Sequence, residues 1–367
     1  MKGPLLPVLV LPVITTAMLS VLSPQDSINP ELHSAIAARR LAEAVRLFEK
    51  LQNPNAKEQF LAGLALMQLH KPDEADTLLR ASKEAKFQAE TGWPDVDVLL
   101  ARVQTFRSFA PPLNMASRIT QDPAIAAYSG QPTAWSAPVL AAIPEFAAVG
   151  RSIFGKDIPP LRLYLFADWK QYDRFYEALF GLKIPTAWQD GTGNLNVVTY
   201  CETDRQGRTT RAAGAPETIS CVLHEFGHAW VNTYLMYRHG KDWLSPSMRL
   251  PWLDEGLADF IASLREPAFL VRRVDWLKAA AAKGTPAPTF EKIQDYEGFY
   301  QEGDVNIHYW ISAVFVAELL GTRDQASPTI LKILDAAGQS GKLKEALRTV
   351  TGKDLQIEFE RVVRRFW

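Results

Sequence analysis

The pattern His224-Glu225-Phe226-Gly227-His228, followed by Trp252-Leu253-Asp254-Glu255-Gly256-Leu257-Ala258-Asp259, constrains this chain more than any other feature. On an α-helix, residues four apart are rotated by about 400°, so His224 and His228 leave one face a turn apart and can reach one metal ion. Glu225 then lies beside that ion. A carboxylate there is poorly placed as a third ligand from the same turn, but it can take the proton of a water activated at the metal. Two imidazoles leave a tetrahedral zinc one protein ligand short of a catalytic site, and Glu255 is the best candidate to supply it. Asp259 lies one turn further along a second helix that opens after Pro251, where it can accept the spare N–H of a ligating imidazole. For these side chains to act together, the two helices have to meet.

Coincidence is a poor account of the pattern. With 6 His among 367 residues, a chance H-E-x-x-H arises on the order of half a percent of the time. The helical context lowers that further, because Ile219, Leu223, Phe226 and Trp230 follow the stripe of a buried face and leave the histidines on a different side. Pro216 suits a first helical turn and Glu217 favours the positive helix N-terminus, so the segment also carries a start signal. The alternative for Glu255 and Asp259 is an acidic first turn solvated at a helix end.

The combination of His224-Glu225-x-x-His228 with the downstream Trp-Leu-Asp-Glu-Gly-Leu-Ala-Asp resembles the gluzincin superfamily, which includes thermolysin and the aminopeptidase N-like enzymes, and most closely the bacterial peptidase-MA-like domains. The likeness covers roughly residues 135–367. It implies that Glu255 is the third zinc ligand and Asp259 the acid behind it. A further family feature, a Tyr opening a late helix before a small residue and an apolar run, matches Tyr309 to Leu319 and implies that Tyr309 stabilises the oxyanion. A half-buried core tyrosine is the plainer reading of Tyr309. His308 and Tyr300 are nearby rivals for the oxyanion role. His33, His70 and His239 have no matching partner and default to surface or packing roles.

Upstream of the zinc helix, Leu161 to Phe166 reads as a strand, Asp168 to Phe180 as an amphipathic helix capped by Asp168, and Asn194 to Tyr200 as a second strand. The resemblance makes these a small mixed or antiparallel sheet whose edge strand pairs with a substrate backbone. Helices dominate afterwards, at Phe269 to Lys283, Ile307 to Leu320, Thr329 to Ala337 and Asp354 to Phe366. The fold class is therefore α+β and zincin-like, with a helical C-terminal part. Ala44, Phe48, Gly63, Ala75, Leu79 and the Lys71-Pro72-Asp73-Glu74-Ala75 turn resemble tetratricopeptide helix hairpins, with a third helix near Val96 to Phe106. Too few repeats for a free-standing solenoid suggest a brace for the hydrolase, or alternatively a groove for a peptide or protein partner. Ala110-Pro111-Pro112-Leu113-Asn114 is the best boundary signal and Gly130-Gln131-Pro132-Thr133 a second. The expected organisation is a leader or anchor over 1–24, a helical domain over 25–110 and a metallopeptidase domain over 111–367.

A net charge of −1 from 40 basic and 41 acidic residues, with no basic run, argues against nucleic acid and against electrostatic help at an anionic membrane. Met1-Lys2 precedes an apolar stretch from Leu5 to Leu22 that fits a secretory signal, with cuts after Thr15-Thr16-Ala17 or Val21-Leu22-Ser23, or an uncleaved anchor. The protein is thus expected to be secreted or periplasmic. Only Cys201 and Cys221 are present. In an oxidising compartment they could form a disulfide; otherwise they are free thiols, or Cys221 is an adventitious ligand.

These readings converge on a zinc metallopeptidase, in the simplest case an endopeptidase, with His224, His228 and Glu255 as ligands, Glu225 as base and Tyr309 at the oxyanion. A zinc-binding interaction protein without turnover and a zinc amide hydrolase of non-peptide substrates are the rivals. An intact Glu225 speaks against the first, since binding alone requires no base.

Overall fold

The computed structural model describes residues 28–367 except 38–39, 70, 90–94, 117–123, 130–131, 156–157, 160, 181–190, 210, 212–213, 240, 242–246 and 322. The expected leader over 1–24, His70 and the Gly130-Gln131 signal lie outside the described residues. The chain divides into two compact units, one of residues 1–112 with 168–189, the other of 113–167 with 190–367. Among the described residues no helix is long and apolar enough to cross a membrane.

The first unit is helical. It comprises α1 (Pro30–Ala37), α2 (Leu41–Phe48), α3 (Ala56–Gln68), α4 (Pro72–Glu84), α5 (Val96–Ala116) and, from the later segment, α8 (Trp169–Phe180). Successive helices from α1 to α4 pack as neighbours, and α8 lies against α3. Asn55 caps α3 in a full capping box with Glu58, a feature that contributes about 1 kcal/mol. Pro72 takes the first position of α4, which suits a residue with no N–H to donate, so the turn read at Lys71 to Ala75 is the start of a helix. The backbone at Ala110 to Asn114, the boundary signal in the sequence, is helical, and the division between the two units falls within it, after Pro112. Asp168 caps α8 as its sequence suggests, accepting from the backbone N–H groups of Lys170 and Gln171.

The second unit opens with β1 (Ile125–Ser129), α6 (Ser136–Ala141), α7 (Ile143–Phe154) and β2 (Leu161–Phe166), followed by β3 (Gly191–Asn194), β4 (Val197–Cys201) and α9 (Pro216–His239). Four strands form one mixed sheet in the order β1-β2-β4-β3, with β1, β2 and β4 parallel and β3 antiparallel at the edge. Parallel strands need a long crossover, and between β2 and β4 the chain makes it through α8. The stretch read as one strand from Asn194 to Tyr200 is in fact a hairpin. Asn194 pairs with Val197, and the two-residue turn between them holds Leu195 at φ 46°, the positive-φ geometry that matches strand twist. The edge strand is consequently β3, while Val197 to Cys201 lies inside the sheet.

Seven further helices follow, α10 (Pro251–Arg265), α11 (Pro267–Ala282), α12 (Phe290–Gln294), α13 (Tyr296–Gln301), α14 (Val305–Leu320), α15 (Arg323–Ser340) and α16 (Leu343–Thr351), and α17 (Leu355–Val363) ends the order. The unit is thus mostly helical around a small sheet, an α+β arrangement. The stripe on α9 behaves as read, since Ile219, Leu223, Phe226 and Trp230 are all buried in one core. Phe226 packs on Phe146 of α7 with centroids 5.2 Å apart. Two glycines let the backbone close around α9. A Cβ on Gly193 of β3 would fall 1.8 Å from the carbonyl oxygen of Glu225, and one on Gly227 would fall 2.9 Å from Cα of Ala258 in α10. Residues 225 and 227 are about 200° apart on a helix, so β3 and α10 clasp α9 from opposite sides.

Candidate metal centre

Helix α9 presents His224 and His228, and α10 presents Glu255, to a single point. His224 Nε2 and His228 Nε2 are 3.0 Å apart. Glu255 Oε2 is 3.2 Å from the first and 3.3 Å from the second. Among the described residues these three side chains form a group that could hold a metal ion. Pro251 starts α10 at its first position, which sets Glu255 and Asp259 on the turns that face α9. Both are buried, so the solvated acidic turn is not what the fold makes of them.

Each imidazole is held from behind by a carboxylate. His224 Nδ1 lies 2.8 Å from Asp259 Oδ1, and His228 Nδ1 lies 2.6 Å from Asp254 Oδ1. A proton on Nδ1 donated to a carboxylate leaves Nε2 with a free lone pair, the tautomer a metal requires. Arg273 of α11 in turn donates to Asp259, from Nε at 2.8 Å and from the terminal nitrogen at 3.2 Å. Its guanidinium lies 4.3 Å from the Phe269 ring centroid, a stacking arrangement that Arg favours over Lys.

The electrostatics of this cluster call for positive charge. Burial pushes the pKa of His224 down, but hydrogen bonds to Asp259 and Glu255 outweigh it and lift the group to about 9. His228 is raised likewise, the charges of Asp254 and Glu255 overcoming burial. Burial works the other way on the carboxyls; the His228 charge still holds Glu255 below its ordinary range, and the Arg273 charge does the same for Asp259. Buried carboxylates need a compensating cation. Protons on the histidines or a metal ion between them meet that need.

Two tyrosines close the other side of Glu255. Tyr300 donates to Oε1 at 2.5 Å and Tyr309 donates to the same oxygen at 3.2 Å. Burial, then the Glu255 charge, raises both hydroxyls well above 10, so they are hydrogen-bond donors across the neutral range. Tyr309 sits in the second turn of α14 rather than opening it, since the helix starts at Val305 behind the Asp304 cap. His308, the other rival, turns away from the cluster and is buried with Nδ1 2.7 Å from the carbonyl oxygen of Phe299. Glu225 is half-buried beside the edge strand, where a Cβ on Gly191 would lie 3.0 Å from its Cγ. Its charge is felt at Tyr309.

No disulfide joins Cys201 and Cys221 in the structure; Cys201 is buried in β4, and Cys221 lies on α9, where its charge acts on Arg273. Cys221 does not join the ligand group among the described residues. His239, read as having no partner, lies 2.9 Å from Asp335, which also accepts from Tyr234.

Asp254 and Arg273 were not singled out from sequence. Asp254 had a usable signal: two ligating histidines need two acceptors for their spare N–H groups, and Asp254 and Asp259 both flank Glu255. Arg273 had none, because its partner lies across a helix–helix contact. Comparison with protein-family models, curated proteins and solved structures finds no match. The reading of this site therefore rests on its own geometry and chemistry.

Asp254→Ala is expected to raise the metal dissociation constant about 10–100-fold, the usual cost of losing the acceptor behind a ligating histidine. Competition against a chelating dye measures it. An unchanged affinity would mean that His228 needs no such support.

Proposed function

We propose that this protein is a gluzincin-type zinc metallopeptidase that cuts within peptide chains. The observation that carries the reading is the spacing of the three ligand atoms, 3.0, 3.2 and 3.3 Å. Bonds of about 2.0–2.2 Å to a tetrahedral zinc put neighbouring ligands about 3.3 Å apart, a separation that supports zinc as the ion. Two histidines and one carboxylate also fit the donor set of hydrolytic zinc, which keeps one position open. The zincin-like assignment draws support from the mixed sheet, whose antiparallel edge strand lies directly on the helix that carries Glu225.

Zinc, when bound, supplies a Lewis acid and brings the pKa of water at the site towards ~7. Glu225, next in the chain to the ligand His224, takes the proton of the attacking water and later returns it to the departing amine. Tyr309, protonated across the neutral range, donates a hydrogen bond to the carbonyl oxygen as negative charge builds there. The edge strand β3 aligns the substrate backbone by strand addition. An apolar N-terminal stretch supports action outside the cytoplasm, and the helical first unit offers surface for a protein partner.

Chain length is the substrate feature that the edge strand speaks to. Aminopeptidases of the resembled group pair the substrate ammonium with a glutamate on this strand, whereas here Gly191-Thr192-Gly193-Asn194-Leu195-Asn196 carries no acid. Glu202, the nearest acid in sequence beyond the hairpin, accepts the Thr133 hydroxyl at 2.8 Å and is not part of the ligand group. An ammonium without a carboxylate partner is penalised when buried. Internally quenched peptides should therefore be cleaved and single-residue aminoacyl arylamides should not. Turnover of the arylamides alone, abolished in Glu225→Gln, would overturn the endopeptidase assignment.

A further inference from the structure

We infer that Tyr300 is a positioning residue that restricts Glu255 to ligation through one oxygen, leaving Tyr309 as the hydroxyl free to meet substrate. The inference rests on the metallopeptidase reading and goes beyond it, because it divides two tyrosines that share one acceptor. Glu255 is split cleanly between its oxygens. Oε2 faces both imidazoles, at 3.2 and 3.3 Å, and Oε1 accepts both hydroxyls. Tyr300 makes the shorter of the two bonds to Oε1, and a held hydroxyl on that oxygen turns it away from the ion. One-oxygen ligation keeps the coordination number low, and that preserves the open position a hydrolytic site requires.

The two donors differ in hold and in support. Tyr300 makes the shorter bond, 2.5 Å against 3.2 Å, and it is wedged among rings. The Tyr296 ring lies tilted against it with centroids 4.6 Å apart and the Phe299 ring meets it edge-on at 4.7 Å, and the Arg249 guanidinium lies 4.3 Å from the Tyr296 centroid. The backbone that carries Tyr300 is tied down as well. Asp295 caps α13 through the N–H of Gly298, and buried His308 of α14 holds the Phe299 carbonyl at 2.7 Å. His308 thus acts on the site through Tyr300. Tyr309, with the longer bond and the Glu225 charge beside it, can leave Glu255 for a substrate oxygen at little cost.

Cobalt(II) tests this in the full-length protein, because its visible absorption is strong in four-coordinate sites and weaker in five-coordinate ones. Tyr300→Phe keeps the ring and its packing and removes only the donor. It is expected to raise the Co²⁺ dissociation constant about 10–100-fold and to weaken the visible band, as Oε1 joins the ion. Tyr309→Phe should match wild type in both measurements while peptide turnover falls. Equal affinity and an equal band in Tyr300→Phe would overturn the role of Tyr300, as would both effects appearing in Tyr309→Phe instead. A wild-type protein that binds no Co²⁺ would remove the metallopeptidase reading itself, and with it this inference.

Discussion

Glu225→Gln is expected to retain its metal and to lose peptide turnover by about 10²–10⁴-fold, the range attributed to a well-placed general base. The residue sits between the two proposed histidine ligands in sequence and lies outside the group that could hold a metal ion. His224, His228 and Glu255 converge without it, so replacing its carboxylate by an amide leaves the donor set whole. Glutamine is also nearly isosteric with half-buried Glu225, which packs against the glycine strand β3. The measurement pairs elemental analysis of zinc with initial rates on an internally quenched peptide. Full turnover in Glu225→Gln would remove the proposed mechanism; loss of zinc would mean that Glu225 is a ligand after all.

Glu255→Ala is expected to give the opposite pattern, a protein that loses zinc on dialysis and, for that reason, activity. Tight zinc sites are worth about 10–16 kcal/mol, so one ligand's share of about 3 kcal/mol lowers affinity by about 10²-fold or more. The alanine variant also strips Tyr300 and Tyr309 of their common acceptor, and an unsatisfied buried hydroxyl costs about 1–3 kcal/mol. Glu255→Gln separates the two effects. Its amide oxygen can serve the tyrosines, but the amide has no charge with which to hold the ion between two histidines. Zinc lost from both variants, with the unfolding transition of Glu255→Gln close to that of metal-free wild type, is the expected outcome. Zinc retained at full occupancy in both would mean that the third ligand is another residue.

The amino-acid sequence by itself determined the parts of this protein that depend on local periodicity. His224 and His228 share a helix face because a turn is 3.6 residues long. Pro216 and Pro251 start α9 and α10, and Asp168 and Asp354 cap α8 and α17, because such signals act within one turn. The buried stripe of α9 was legible for the same reason. Glu255 and Asp259 could be nominated as a pair one turn apart, though not shown to be buried.

Tertiary structure decided everything that depends on which elements meet. The hairpin at Leu195-Asn196 turned one expected strand into two and made glycine strand β3 the edge, a choice fixed by a positive φ and by a close approach to Glu225 that patterning does not register. Asp254 found His228 and Arg273 found Asp259 across helix contacts, while His308 was drawn away to the Phe299 carbonyl. Tyr300 and Tyr309 lie 45 and 54 positions from Glu255, far beyond the few residues over which helix geometry dictates a contact. Packing of α13 and α14 against α10 alone brings both hydroxyls to one carboxylate oxygen.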